Sequence, residues 1–249
     1  MKLFIDQGNS RCKFWWLDAD NVVVRELTVP DPQMLSQQSP VAVTQVAISS
    51  VAQAAQREAL QRALSQHCPA AAVHWARVDC RRMPTRYRQP ERLGVDRWLA
   101  ALACRETGVA TVVVDAGTAL TVDAVSVAGE HLGGYILPGL ALQRKALADH
   151  TAQVQFPESD WSGPDWGMDT AAAVGHGSLL AMVSLITAAQ QRLGAEQGVD
   201  VELVLTGGDA GILQTWLPEA QHRPHLLLQG LQRYLAAEES GEVGLRAKD

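Results

Sequence analysis

One pattern occurs twice in this chain and narrows its possible folds more than anything else. A short apolar or β-branched run ends in aspartate, turns through glycine, and is followed by a second run. Near the N-terminus, residues 2–5 read as a strand running up to Asp6. Gln7-Gly8-Asn9-Ser10 reads as a tight turn and residues 13–17 as the returning strand. Further on, residues 111–114 read as a strand ending at Asp115, Ala116-Gly117-Thr118 as a turn, and 120–127 as a strand again. The recurrence fits two halves of related architecture. Asp-Gly turns between strands are also common hairpin chemistry, so the residues alone leave both explanations open.

The rest of the chain alternates strands with helices. Residues 41–50 and 73–78 read as strands, and 53–66 carries Ala55, Ala59, Leu60, Ala63 and Leu64 at helical spacing. A Pro- and Gln-rich stretch, 30–40, reads as a loop. A helix is expected over 93–104, beginning after Gly94, and a strand over 131–137. Pro138-Gly139 opens a helix through His150. A loop with Pro157, Gly163 and Pro164 leads to a long helix over 170–193. A strand over 201–205 stops at Thr206-Gly207-Gly208-Asp209, and a last helix covers 224–239. The tail after it reads as frayed. At 249 residues the chain is at the upper edge of one domain or makes two small ones. No low-complexity segment or linker is visible. Two halves, 1–110 and 111–249, are therefore expected to pack directly, with a cleft between them.

Composition narrows the function classes. Hydrophobic residues at 47% against 19% charged can fill a sizeable core, which argues against disorder. A net charge of −6 argues against a general nucleic-acid binder, which needs a basic face, but leaves room for anionic small substrates. Cys12, Cys68, Cys80 and Cys104 form no C-x-x-C pair and have no zinc-ligand spacing, so buried free thiols in a reducing cytoplasm are expected. The first residues reach Asp6 too soon for a signal peptide, and no run approaches the ~18 apolar residues of a membrane span. No membrane or nucleic-acid partner is expected.

An aspartate where a strand's hydrogen bonding stops projects its carboxylate outward, where it can hold a metal ion or the ion's water. The following glycine lets backbone approach a phosphate, and turn amides with Asn9, Ser10 or Thr118 can donate to phosphate oxygens. Two such turns facing each other would hold a β- and a γ-phosphate. Thr206-Gly207-Gly208 after a strand suits a flat base or ribose, though a glycine pair there is more often only a turn. Arg11 and Lys13 flank the first turn on alternate positions and could both face phosphate. Asp96-Arg97 reads either as a carboxylate that orients a hydroxyl beside an anion-holding guanidinium, or as an acidic helix start favourable to the dipole. His176 reads as a packing residue, and Trp15, Trp16, Trp161 and Trp166 as core or interface.

Taken in order, Asp6-Gln7-Gly8-Asn9-Ser10-Arg11, Asp115-Ala116-Gly117-Thr118-Ala119 and Thr206-Gly207-Gly208 resemble the nucleotide-binding elements of the actin-like ATPase and sugar-kinase superfamily. Tyr87-x-x-Pro90-x-x-Leu93-Gly94-Val95-Asp96-Arg97-Trp98 resembles the substrate motif of one branch, the type III pantothenate kinases. Gly133-Gly134-Tyr135-Ile136-Leu137-Pro138-Gly139 and Asp169-Thr170-x-x-Ala173-x-x-x-Gly177 resemble the same branch, which includes members described as Bvg accessory factors.

The resemblance implies an α/β, two-domain actin-like (ribonuclease H-like) fold, with mixed sheets flanked by helices and an interdomain cleft. It implies a cytoplasmic homodimer that uses ATP with Mg²⁺, is activated by K⁺ or NH₄⁺, and phosphorylates pantothenate. By the same resemblance Asp6, Gln7, Gly8, Asn9, Ser10, Arg11, Cys12 and Lys13 surround the ATP phosphates, with Asp6 also touching a Mg²⁺-bound water. Thr118 contacts ATP and Asp115 holds the monovalent cation. Asp96 is the general base, and Tyr87, Gly94, Val95, Asp96, Arg97 and Thr170 contact pantothenate. Gln7 and Ser10 stand where relatives often have a small or apolar residue and Thr; Ser10 keeps the hydroxyl. Asp169 stands where Asn is frequent, an odd neighbour for a carboxylate substrate. A catalytically inactive binding protein, or a kinase of another small alcohol, are the alternatives; retention of Asp6, Asp96 and Asp115 weighs against the first.

Overall fold

The computed structural model describes residues 1–37, 42–150 and 165–239. Contacts divide the chain into two compact units: Met1–Asp79, Gln89–Ala103 and the chain from Leu226 onward form one, Cys80–Arg88 and Cys104–His225 the other. A single cut between residues 110 and 111 would assign the last helix and the Cys80–Arg88 stretch the other way.

In the first unit, β1 (Lys2–Gln7) pairs antiparallel with β2 (Cys12–Leu17), which pairs antiparallel with β3 (Val23–Val29). On its other side β1 runs parallel to β4 (Gln45–Ser50), and β4 parallel to β5 (Ala72–Trp75), giving the order β3-β2-β1-β4-β5. All of β1 and β2 except Lys2, Asp6 and Lys13 is buried because both sheet faces are covered. Leu3, Ile5, Phe14, Trp16, Val46 and Ile48 share one core with Leu60 and Leu64 of α1 (Ala54–His67). The last helix of the chain, Leu226–Glu239, packs against β1 and β4, and Lys2 and Phe4 line a cavity with it. Lys2 Nζ donates to Glu239 Oε1 at 2.9 Å on that side. Helix α2 (Val95–Cys104) belongs to the same unit. A Cβ on Gly230 of the last helix would collide with the Leu99 carbonyl, so glycine permits this close crossing.

Strand β3 has no counterpart among the sequence expectations. It is an edge strand with alternating burial, introduced by an Asx turn in which Asp18 Oδ1 accepts from the amides of Asp20 and Val22. The stretch 30–40 contains a short 3-10 turn, Pro32–Gln37; of the strand expected over 41–50, residue 41 lies outside the described residues, 42–44 are not strand, and the strand begins at Gln45.

The second unit repeats the plan. β6 (Ala110–Ala116) pairs antiparallel with β7 (Ala119–Val125), and β7 with β8 (His131–Pro138). β6 runs parallel to β9 (Val201–Thr206), and β9 to the two-residue β10 (Gln221–His222). The order β10-β9-β6-β7-β8 is that of the first unit, strand for strand and sense for sense. The recurrence of Asp-x-Gly is therefore a recurrence of topology. The architecture is α/β, two mixed five-stranded sheets flanked by helices.

The face of β6, β7 and β9 is covered by the 28-residue α4 (Thr170–Gln197), which also contacts α3 (Leu140–His150). Leu179, Met182, Ile186, Ala189 and Leu193 of α4 are buried with Val112, Val114, Leu120, Val122, Leu203 and Leu205. One 18-residue window of α4 has a mean hydropathy of 1.6, which by length and composition alone would suit a membrane span. Packing on the sheet accounts for the stripe through Leu179, Met182, Ile186, Ala189 and Leu193, although only 28% of the window is buried within the chain. The helix passes the expected end at residue 193 because Gly194 stays helical. Gly198, at φ 68°, is the left-handed residue that stops it, its amide bonded to the Gly194 carbonyl. A short helix, α5 (Ala210–Gln214), was not expected, and the last helix is α6.

Candidate functional site

The first Asp turn is anchored from below. Gln7 is 2% exposed: its Nε2 donates to the Gln56 carbonyl at 2.8 Å, and its Oε1 accepts from Ser50 Oγ at 2.9 Å. Gln7 is opposite Cys12 in the ladder and Asp6 opposite Lys13, so alternation sends the two pairs to opposite faces of the sheet. Cys12 is buried, and desolvation, with Asp6 nearby, pushes its thiol well above the ordinary range. Gln7 and Cys12 thus have only backbone to offer on the Asp6 side, whereas Lys13 shares its face. Gly8 N donates to the Arg11 carbonyl at 3.1 Å to close the turn, leaving Asn9, Ser10 and Arg11 exposed. Ser49, fully buried, is the register partner of Asp6 on β4. No local signal in the sequence marks Ser49; only the parallel pairing brings it there.

The second unit builds the corresponding corner. Asp115 is opposite Thr121 on β7 and Thr206 on β9, so each of the two aspartates has a hydroxyl residue beside it on the parallel strand. The Asp115 turn closes on itself and two further backbone segments converge on it. Gly117 N donates to the Ala119 carbonyl at 3.0 Å, Gly139 N to the Thr118 carbonyl at 2.9 Å, and Asp209 N to the Ala116 carbonyl at 2.9 Å. Gly207, at φ +94°, lies so close that an added Cβ would sit 2.5 Å from Asp115 Oδ1 and also meet the Ala116 carbonyl. Thr118 is exposed at the tip. The carboxylate of Asp115, half-buried, thus lies over side-chain-free backbone.

Asp96 and Arg97 open α2. Asp96 Oδ1 accepts from the Arg97 amide at 2.8 Å, and Arg97 is buried at 6% exposure, so this pair is not an exposed helix start. Gly94 and Val95 precede them in the first unit, while Tyr87 belongs by its contacts to the second; the substrate-like motif therefore spans both units. Thr170 is exposed at the first position of α4. Asp169 is the N-cap of α4, Oδ1 accepting from Ala172 N at 2.8 Å. Asp and Asn cap helices about equally well, so its carboxylate is occupied with the helix. His176 Nδ1 bonds to the Asp165 carbonyl at 2.8 Å, a structural role. Trp15 and Trp16 are buried; Trp166, 93% exposed, is not a core residue, and Trp161 lies outside the described residues. All four cysteines are free, and Cys80 alone among them is exposed.

Among the described residues no three His, Cys, Asp or Glu side chains form a metal cage. Mg²⁺ is commonly held by one or two carboxylates together with substrate phosphates and water. A single half-buried carboxylate at a strand end, such as Asp6 or Asp115, fits that mode.

A profile of the type III pantothenate kinase family matches residues 2–192. This chain belongs to the type III pantothenate kinase family. The type III pantothenate kinase of Acinetobacter baylyi is 36% identical over 251 residues, covering 94% of this chain and 97% of its own length. That of Nitrosococcus oceani is 34% identical over 247 residues, covering 94% and 93%. Among solved structures, a conserved Baf family protein of Campylobacter jejuni superposes with a TM-score of 0.67 at 22% identity, covering 96% of this chain and 99% of that one. A Listeria monocytogenes protein described as an N-acetylmannosamine kinase gives 0.57 at 11%, covering 96% and 99%. At these identities the structural matches speak for the fold alone, two mixed five-stranded sheets flanked by helices.

Proposed function

We propose that this chain transfers the γ-phosphoryl group of ATP to the primary alcohol of pantothenate, forming 4′-phosphopantothenate, the first step towards coenzyme A. Membership of the type III pantothenate kinase family over nearly the whole chain carries this reading. The twin Asp corners on matching sheets support it, since phosphoryl transfer asks a protein mainly to position groups and offset charge.

In this reading the backbone of Asp6 to Lys13, with the Asn9 and Ser10 side chains, donates to the ATP phosphates, and Thr118 contacts the same nucleotide. Mg²⁺ bound with ATP supplies charge neutralisation on the phosphates, with Asp6 as a contact to one of its waters. Asp115 holds a monovalent cation, K⁺ or NH₄⁺. Tyr87, Gly94, Val95, Arg97 and Thr170 hold pantothenate, with the Arg97 guanidinium suited to a carboxylate. Asp96 orients the hydroxyl and accepts its proton as the oxygen bonds to the γ-phosphorus and the β–γ bridging bond breaks. The protein works as a cytoplasmic homodimer.

ADP release with and without pantothenate tests the activity. Turnover that requires pantothenate and falls when K⁺ is replaced by a large organic cation is expected. ATP hydrolysis indifferent to pantothenate would overturn the substrate, and equal rates in both buffers would overturn the cation at Asp115. Sedimentation at micromolar concentration should give twice the chain mass.

A further inference from the structure

Beneath Tyr87 lies a buried polar relay that the reaction itself does not call for. His131 is fully buried and Asp123 is 2% exposed. His131 Nε2 lies 2.8 Å from Asp123 Oδ1, and its Nδ1 lies 2.8 Å from Thr85 Oγ1. Thr85 Oγ1 in turn accepts from the backbone amide of Tyr87 at 3.2 Å. The rings of Tyr87 and His131 pack with centroids 5.9 Å apart at 45°. Two backbone bonds, His131 N to the Pro84 carbonyl and Arg86 N to the His131 carbonyl, both 2.9 Å, hold the 84–86 stretch against the start of β8.

With a neutral ring, the donors and acceptors fit in a consistent direction. A carboxylate at Asp123 accepts from Nε2–H, which leaves Nδ1 as an acceptor. Nδ1 then takes the Thr85 hydroxyl proton, so the Thr85 oxygen presents a lone pair to the Tyr87 amide. A His ring ordinarily has its orientation set by the partner of its other nitrogen. Asp123 is on β7 and His131 on β8, so the sheet fixes the relay at its base. The order Asp, His, Thr resembles a nucleophile triad, but the Thr85 oxygen already accepts an amide.

We propose that His131 is a positioning residue for pantothenate binding: braced by Asp123, it sets Thr85, and through Thr85 and its own ring it sets the backbone and ring of Tyr87. This rests on the reading of Tyr87 as a pantothenate contact. Removing His131 would take a fully buried ring and one partner of Asp123 out of the interior and endanger folding. The test therefore uses Thr85→Val, nearly isosteric but without the hydroxyl, and Thr85→Ser, which keeps it.

Amide hydrogen exchange at Tyr87 reads the relay without any substrate. Faster exchange in Thr85→Val and wild-type protection in Thr85→Ser are expected; unchanged protection in Thr85→Val overturns the relay. Steady-state kinetics reads its purpose. Loss of one such bond should raise the KM for pantothenate by about three- to tenfold in Thr85→Val, with KM for ATP and kcat within twofold and Thr85→Ser like wild type. A pantothenate KM unchanged in Thr85→Val, or a matching rise in KM for ATP, overturns the positioning role. A wild-type protein that never turns over pantothenate overturns the proposed function and this role with it, while exchange at Tyr87 still decides the relay.

Discussion

Gly207→Ala and Gly208→Ala should behave as opposites although the residues are neighbours. Gly207 has φ +94°, a region that disfavours any residue with a Cβ, at a cost of about 1–2 kcal/mol. Its new methyl would also sit 2.5 Å from Asp115 Oδ1 and press on the Ala116 carbonyl. That carbonyl is held by the Asp209 amide at 2.9 Å, so the obstacle is fixed backbone rather than a flexible side-chain end. Overpacking of this kind adds roughly 1–3 kcal/mol. Together the terms come to about 2–5 kcal/mol, a fall in Tm of roughly 4–20 °C for a chain of this size. Gly208 has nothing within 4 Å of an added Cβ, so its alanine variant should stay within about 0.5 kcal/mol of wild type. Thermal unfolding followed by circular dichroism measures both. ADP release below the melting range then reports whether Asp115 has been displaced: Gly207→Ala should lose turnover beyond what unfolding explains. A Gly207→Ala protein that melts with wild type, or a Gly208→Ala protein that melts as low as it does, would refute the crowding argument.

Asp96→Asn should lower kcat at least ~10²-fold, the usual scale for a positioned acid–base group, with little change in melting; near-normal turnover would remove Asp96 from the chemistry. Asp169→Ala should destabilise by about 1 kcal/mol through loss of the α4 cap, while Asp169→Asn should match wild type in urea unfolding. Native protein should react quickly with a disulfide reagent at Cys80 alone, and at all four cysteines after denaturation; rapid labelling of Cys12 would contradict its burial and raised thiol. Hydrogen bonds from Lys2 and Gln45 hold the Glu239 carboxylate below its ordinary range, so the pair stabilises at neutral pH and the benefit fades as acid protonates Glu239. Being partly exposed it contributes no more than about 1 kcal/mol, so Glu239→Gln should be slightly less stable than wild type at pH 7, and the gap should close as acid protonates Glu239.

Strand ends, turns and helix spacing were legible in the sequence because they are local. Asp6 and Asp115 each follow a β-branched or apolar run, but both strands continue one residue past the aspartate, to Gln7 and to Ala116, which was expected in the turn. What pairing decides was not legible. Ser49 and Asp6 become neighbours only when β4 aligns with β1, and Thr85 meets His131 only when a loop docks on β8. Strand β3 escaped because its exposed edge tolerates Arg25 and Glu26, which blur the apolar run; the Asp18 turn was its available signal. The faces of Gln7 and Cys12 follow from register, which a motif does not state. Asp169 looked anomalous only as a substrate neighbour, and as a cap it is ordinary.

The first sheet also depends on a piece of chain made after the second unit. Helix α6 covers β1 and β4, yet its residues are separated from the rest of that unit by everything from Cys104 to His225. At about 5–20 residues per second, a ribosome needs on the order of 7–27 s to travel from the end of α2 to the end of α6. During that interval the nascent N-terminal strands wait with one face uncovered. The second unit, nearly contiguous in the chain, can close first, so translation itself orders the assembly of the two Asp corners.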